Sequence, residues 1–133
     1  MASNLKYSNG TRNAQQQGLI TYAGSNAIIS LYTGTQPANA NTALSGNTLL
    51  AALTMVSGFG TDSNGTLTLG TVSPNTAVAA GTATFFRITK SDGTTVVMDG
   101  SVGTSGADLN LNTTTIALND TVAITSGTII RNN

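Results

Sequence analysis

The spacing of hydrophobic residues along this chain of 133 residues changes once, at Gly24. Before that point, a run of polar residues that favour helix leads into a short apolar group. Ser8, Asn9 and Thr11 are each able to cap a helix, and Gly24 is able to end one. The pattern therefore predicts a short amphipathic helix over residues 8–24.

After Gly24, short apolar or alternating runs are separated by Gly, Asn, Asp and Pro, as is typical of a sandwich or barrel. Thr fills many of the polar positions, and its β-branched side chain favours strand while tolerating solvent. We therefore expect an all-β fold: an antiparallel, jelly-roll-like β-sandwich of about eight strands with one short N-terminal helix or arm. The predicted strands are 27–33, 48–56, 66–70, 81–90, 94–99, 107–112, 114–118 and 121–130.

The mass of 13.4 kDa corresponds to a single domain. We divide it into an N-terminal arm or helix, residues 1–24, and a β-sandwich body, residues 25–133. The arm either docks on a neighbouring subunit or packs across the open end of the body, and the pattern leaves both possibilities open.

Asp92-Gly93 lies between two strand-like runs and predicts a hairpin turn. A two-residue loop over this pair would place polar residues opposite apolar ones. A type I turn with Gly93 in a left-handed bulge instead makes one face wholly apolar, and we predict that register. It pairs Phe86 with Met98 and Ile88 with Val96.

The same register places Arg87 and Asp99 on the other face as diagonal neighbours, and we expect a surface ion pair there. Further along the chain, Ile116 and Leu118 alternate with polar residues and indicate strands of a meander. Residues 34–47 show no periodicity and include Pro37, so we predict a long surface loop.

The composition excludes several kinds of chemistry. There is no His and no Cys, which removes imidazole bases, thiolate nucleophiles and the usual zinc ligands. Five Lys and Arg balance five Asp, and only 8% of residues are charged, so the basic patch that nucleic acids require is missing. No segment has the length of apolar sequence that a membrane helix needs, and the N-terminus lacks a secretory signal. We therefore expect no nucleic-acid partner, no membrane partner and synthesis in the cytoplasm.

Two short motifs have a structural explanation that we favour over a chemical one. Residues 62–65 contain part of a calcium loop but lack its later acidic ligand, so a β-turn is expected. Residues 100–106 are rich in Gly but lack the ending of a phosphate loop, so a strand connection is expected. An Asp pair for glycoside hydrolysis needs a spacing that sequence does not reveal. We predict no enzyme activity, no cofactor and no metal site.

Three segments of the chain, LKYSNGTRNAQQQGLITYAG, LYTGTQPANANTALSGNTLLAALTM and GTATFFRITKSDGTTVVMDGSVGTSGADLNLNTTTIALNDTVAIT, resemble a family of small virion proteins of tailed bacteriophages. The most specific parts are residues 32–37 and 86–112. The resemblance implies a capsid decoration or cement protein, a β-sandwich or jelly-roll module on the outside of the icosahedral shell, and it brings no catalytic residues.

From this resemblance we expect a protein located on the capsid surface of the virion, with the major capsid protein as its partner. We also expect a homo-oligomer, a dimer or a trimer. The alternative is a protein associated with the tail, neck or fibre, or a module that binds a receptor or a sugar. The tyrosines suit partly hydrated contacts as well as packing in the core. The predicted interface residues are Lys6, Tyr7, Arg12, Tyr22, Tyr32, Gln36 and Pro37.

Overall fold

The N-terminal helix has the bounds that the capping residues predict. In a computed structural model, which describes residues 4–56 and 58–130, helix α1 spans Asn9–Ala23. The amide of Thr11 donates to the Ser8 hydroxyl at 3.2 Å, so Ser8 is the N-cap. At the other end, Gly24 adopts a φ of 72°, and its amide donates to the Ile20 carbonyl at 3.1 Å. The predicted helix is confirmed.

The rest of the described chain is mostly β-structure, as predicted, and eight of its strands form one main sheet in the order β2-β1-β7-β8-β9-β12-β4-β3. The strands are β1 (Ile28–Tyr32), β2 (Leu49–Thr54), β3 (Gly60–Ser63), β4 (Thr66–Leu69), β5 (Asn75–Thr76), β6 (Gly81–Thr82), β7 (Phe85–Thr89), β8 (Val96–Gly103), β9 (Leu109–Leu111), β10 (Thr115–Ile116), β11 (Thr121–Val122) and β12 (Ile124–Ile130).

The sheet arrangement differs from the antiparallel sandwich that we expected. The main sheet is mixed and curls into a half-barrel, and it is not clearly a sandwich. Its parallel pair is β8 with β9, where Val102 lies opposite Leu109. The loop between these strands is short and is closed by Asp108, whose carboxylate accepts from the amide and hydroxyl of Ser101 at 2.9 and 3.0 Å. A connection this short is possible because the parallel contact covers only two residue pairs.

The remaining strands form an irregular antiparallel ribbon beside the main sheet. The pairs β5 with β11 and β6 with β10 follow one common register, interrupted between them. The Ala77 amide donates to the Asp120 carbonyl at 2.8 Å, and the Ala83 amide donates to the Thr114 carbonyl at 2.9 Å, which continues the ladder. Leu118 lies in the interruption and is 57% exposed. The meander predicted for this region is wrong, because β10 pairs with β6 and β11 with β5 and not with their neighbours along the chain.

The chain passes between the ribbon and the main sheet twice, and each passage divides a strand that we predicted as continuous. Ala83 bonds to the ribbon, whereas the next amide, that of Thr84, donates to the Tyr32 carbonyl of the main sheet at 3.0 Å. Likewise, Val122 pairs within the ribbon and Ile124 pairs with β9 in the main sheet.

The hydrophobic core lies between the main sheet, the ribbon and the helix. The face of the sheet that points into it is called the core face, and the opposite face the outer face. Strand β7 is buried along its whole length, which means that both of its faces are covered. Residues of the core face, the ribbon and the helix meet in one cluster that includes Ile29, Leu31, Leu53, Phe86, Ile88, Leu109, Ala77, Ile116, Val122 and Ala23.

The hairpin between β7 and β8 keeps Met98 on the core side, but it differs from the prediction in register and in the position of Val96. Ile88 lies opposite Met98 and Phe86 opposite Gly100, while Thr89 lies opposite Val96, because a bulge shifts the register next to Ile88. Met98 still packs against the core, because a shift of two residues leaves it on the same face. The bulge instead places Val96 opposite Thr89, and Val97 packs against the core. Gly93 has the predicted left-handed conformation, with a φ of 75°.

One outer edge of the main sheet, that of β2, is covered by residues 73–78, which include strand β5 of the ribbon. The carbonyls of Thr54 and Leu50 accept from the amides of Ser73 and Val78 at 3.0 and 2.8 Å. Between them, the side-chain amide of Asn75 donates to the Ala52 carbonyl at 2.9 Å. This arrangement satisfies carbonyls that would otherwise invite the strand of another chain.

The observed register predicts that Gly100→Ala is destabilising. A Cβ atom at this position would lie 2.5 Å from the Cζ atom of Phe86, so the ring would have to move within a packed core. We expect a loss of about 1–3 kcal/mol in the free energy of unfolding, measured by urea denaturation. The matched control is Gly18→Ala in helix α1, where a Cβ meets nothing within 4 Å. That variant should gain about 0.5–1 kcal/mol. Equal effects of the two substitutions would contradict the register.

Candidate functional site

Residues 34–47 form an Ω-loop, a long surface loop with ends that lie close together, as the lack of periodicity predicts. The ends are joined by two bonds, from the Thr33 amide to the Thr48 carbonyl and from the Thr48 amide to the Thr33 hydroxyl, both 3.1 Å long. Gly34 and Gly46 stand at either end with φ values of 83° and 72°, where residues with a Cβ would be strained. The backbone of this loop is thus closed at its base.

The same base is reinforced by side chains. The amide group of Asn47 donates to the carbonyls of Thr33 and Thr35 at 2.8 and 3.2 Å. The hydroxyl of Thr84, the residue just before strand β7, donates to the Gly34 carbonyl at 2.6 Å. Each of these bonds joins a side chain to backbone, so they hold the path of the loop without depending on the identity of its exposed residues.

The middle of the Ω-loop is tied to the outer face of the main sheet by Arg87. Its Nη2 atom donates to the Thr42 carbonyl at 2.9 Å and to Asp99 Oδ2 at 2.8 Å, while its Nε atom donates to Asp99 Oδ1 at 2.7 Å. The side chains of Arg87 and Asp99 are 7% and 3% exposed. The hydrogen bond to Asp99 raises the pKa of Arg87, against the opposing effect of burial.

This geometry corrects the surface pair expected from the sequence. Arg87 and Asp99 are direct cross-strand partners, not diagonal ones, because the hairpin register differs from the predicted one. They are buried because the Ω-loop covers them. A bidentate pair in this setting is costly to break, since either charge alone would be left without compensation.

Three predicted interface residues lie at or next to the Ω-loop. Tyr32, at the end of β1, is half-buried and stacks on Phe85 with ring centroids 5.5 Å apart. Gln36 is exposed and Pro37 is half-buried within the loop itself. Tyr32 therefore packs under the base of the loop, while Gln36 faces solvent.

The other four predicted interface residues surround helix α1. Lys6 is exposed, and Tyr7 and Arg12 are half-buried. Tyr22 is 51% exposed, and the Lys90 ammonium lies over its ring, 4.0 Å from the centroid. This contact is a cation–π interaction at the surface.

The helix docks on its own chain through amide side chains that sequence reasoning missed. Gln16 is buried, and its side-chain amide donates to the carbonyls of Gly65 and Ile129 at 2.8 and 3.0 Å. In return, the Gly65 amide donates to the side-chain carbonyl of Asn13 at 2.8 Å. The run of glutamines predicts only a helix, because the β-turn that Gln16 contacts is 49 residues away along the chain.

The two groups of predicted interface residues lie at opposite ends of the main sheet. Strands β1 and β7 are antiparallel, with Tyr32 opposite Phe85 and Ile28 opposite Thr89. Lys90, and with it Tyr22, is therefore at the end far from Tyr32. The helical end carries α1, and the other end carries the base of the Ω-loop.

All five aspartates have structural hydrogen bonds within the chain. Asp99 binds Arg87, Asp108 binds Ser101, and Asp120 accepts from the Ala117 amide at 3.0 Å. Asp62 accepts from the side-chain amide of Gln17, and Asp92 accepts from the backbone of its own turn. The described residues contain no cluster of three or more Asp, Glu, His or Cys side chains able to hold a metal ion.

The motifs considered for chemistry are parts of the backbone framework. Asn64 and Gly65 form the two-residue turn between β3 and β4, with φ values of 51° and 82°. The expected β-turn is thus confirmed. Residues 100–103 belong to strand β8, so only the later part of the glycine-rich run is a connection.

Comparisons with known proteins return no relative. No family model, no curated protein and no solved structure matches the chain. Within the described residues, no helix has the length and apolar character needed to cross a membrane.

The buried pair predicts a large effect of Arg87→Met. This substitution leaves the Asp99 carboxylate buried without its partner and the Thr42 carbonyl without a donor. We expect a loss of about 3–5 kcal/mol in the free energy of unfolding, measured by urea denaturation. The double variant Arg87→Met with Asp99→Leu should recover most of the loss, because no unpaired charge remains. A single variant within experimental error of the wild type would show that the pair contributes nothing.

The turn between β7 and β8 predicts a pH dependence of stability. Bonds from the hydroxyl and amide of Thr95 and from the amide of Thr94 lower the pKa of Asp92 from 3.8 to about 2. A lowered pKa in the folded state means that stability is retained above pH 3.8 and is lost as the pH falls toward 2. Asp92→Asn should therefore make the melting temperature less dependent on pH between 4 and 2.

The control for this measurement is Ser91→Asn, which alters the same exposed turn without removing a titrating group. It should keep the pH dependence of the wild type. The interpretation of the turn is wrong if Asp92→Asn and the wild type show the same slope.

Proposed function

We propose that this chain is a non-enzymatic structural protein of a phage virion, a decoration or cement protein that binds the outside of the capsid shell. The proposal starts from the family resemblance of residues 32–37 and 86–112. Its partner is the major capsid protein, and its location is the capsid surface. A homo-oligomer, either a dimer or a trimer, is part of the same proposal.

The observation that supports it most is that all five aspartate side chains help to hold the fold. Each carboxylate has a hydrogen-bonding role inside the chain, and the guanidinium of Arg87 is buried. A hydrolytic site needs a carboxylate or base aimed at a substrate, and these carboxylates instead hold turns, strands and loops. The remaining surface is dominated by hydroxyl, amide and small apolar groups.

Such a surface suits repeated binding to a protein lattice. Hydroxyl and amide groups lose less solvation on burial than charges do, so many modest contacts can form at small cost. A protein that binds the assembled shell and not its separate subunits stabilises the shell by mass action. An oligomer that binds several lattice positions at once gains further through avidity.

Cosedimentation tests the proposal. The protein is mixed with phage heads that lack it, purified from the phage that carries the gene, and bound protein is quantified against head concentration. We expect saturation at a copy number that matches the icosahedral lattice, together with a rise in the melting temperature of the heads. Saturation at the low copy number of a tail or neck ring would favour the alternative location, and no binding to heads would overturn the proposal.

A further inference from the structure

We propose that the Ω-loop, residues 34–47, is the element that contacts the capsid shell, and that Arg87 is the positioning residue that sets its shape before binding. The inference rests on the proposed function for the identity of the partner. The loop and its anchors are independent of that function, which allows the two to be tested separately.

The anchoring of the loop exceeds what a simple connection requires. Thr33 and Thr48 already join its ends, so strands β1 and β2 could be linked by a much shorter turn. Instead the loop extends over the outer face and is fixed at its middle by Arg87. Ordering a loop in advance reduces the conformational entropy lost when it binds a partner.

Arginine is suited to this position for a geometric reason. One edge of its guanidinium binds both oxygens of Asp99, and Nη2 also reaches the Thr42 carbonyl. Lysine keeps the positive charge but has a single donor centre, so it cannot hold the carboxylate in a fork and bind the loop backbone in the same geometry. Arg87→Lys therefore keeps the positive charge at this position but removes the forked hydrogen-bonding geometry of the guanidinium.

The exposed side of the loop has a distinct chemistry. No residue from 34 to 47 is charged, and the chain directs Gln36, Asn39, Asn41 and Thr42 toward solvent. The Asn39 side chain also accepts from the Asn41 amide at 3.0 Å, so its carbonyl is held in place. A preformed, uncharged surface of amide and hydroxyl groups fits a protein partner that offers backbone and amide hydrogen bonds.

The helical end is the rival surface. It holds Lys6, Arg12 and the pair of Lys90 with Tyr22, together with Asp62 and Asp92, so charges of both signs gather there. Its helix is also engaged with its own chain through Gln16 and Asn13. These contacts favour a role in closing the end of the half-barrel over a role as an arm that docks on a neighbour.

The binding test uses two matched double variants. Gln36→Glu with Asn39→Asp adds two negative charges to the loop by isosteric changes, and the carboxylate of residue 39 can still accept from the Asn41 amide. Asn9→Asp with Asn26→Asp adds two negative charges to exposed positions at the helical end. We expect the loop pair to weaken binding to the heads by about tenfold or more, because charge is introduced into an uncharged contact. The helical pair should bind like the wild type.

Hydrogen exchange tests the positioning role of Arg87. In Arg87→Lys, amide exchange should speed up within residues 34–47 while the strands of the main sheet keep wild-type protection. Head binding should weaken in the same variant. A variant that exchanges faster throughout the sheet, or that binds heads normally with a loosened loop, would overturn the positioning role.

The outcomes separate the two proposals. If the wild type does not bind heads, the proposed function fails and the contact role of the loop fails with it. If the wild type binds and the loop pair binds equally well, the inference fails while the proposed function stands. Loss of binding in the helical pair alone would place the contact at the other end of the molecule.

Discussion

The structure depends on strand β7 being buried on both faces. Its core face, with Phe86 and Ile88, packs against the hydrophobic cluster, and its outer face carries Phe85 and Arg87 beneath the Ω-loop. Burial of Arg87 is acceptable only because Asp99 lies directly opposite it on β8 and supplies both carboxylate oxygens. One ion pair therefore connects the register of the central hairpin with the position of the longest loop.

The chain passes twice between the ribbon and the main sheet, and both parts contribute residues to the core. The first passage lies between Ala83 and Thr84, and the second lies between Val122 and Ile124. Each allows a single run of residues to pair first in the ribbon and then in the main sheet. The ribbon contributes Ala77, Ile116 and Val122 to the core. The chain has only three phenylalanines, and most of its core therefore consists of aliphatic side chains from the ribbon and the main sheet.

The protein has few charged groups, and each of its five aspartates has a structural role in the fold. Asp92 and Asp108 each satisfy backbone amides at a turn or loop, and Asp99 neutralises the buried Arg87. Each such group meets a specific local need for a hydrogen-bond partner. The surface consists mainly of hydroxyl, amide and small apolar side chains, which is the basis of the proposed binding to a capsid lattice.

Local chemistry alone determined much of this protein. Ser8 and Gly24 mark the ends of the helix, and the apolar runs locate β1, β2, β4 and β9. Alternation also identified the core face of the central hairpin, because that face repeats every two residues. Both kinds of signal come from residues that are neighbours along the chain.

Only the tertiary structure decided the register of the β7–β8 hairpin, the division of the strands between ribbon and main sheet, and the burial of Arg87. Alternation with a period of two cannot distinguish registers that differ by two residues, so it did not show that Ile88 pairs with Met98. Nor does alternation indicate where a run passes from the ribbon to the main sheet, because residues of both can contribute to the same core. Gln16 and Arg87 are buried by segments far away in the sequence, and their partners became visible only when the chain had folded around them.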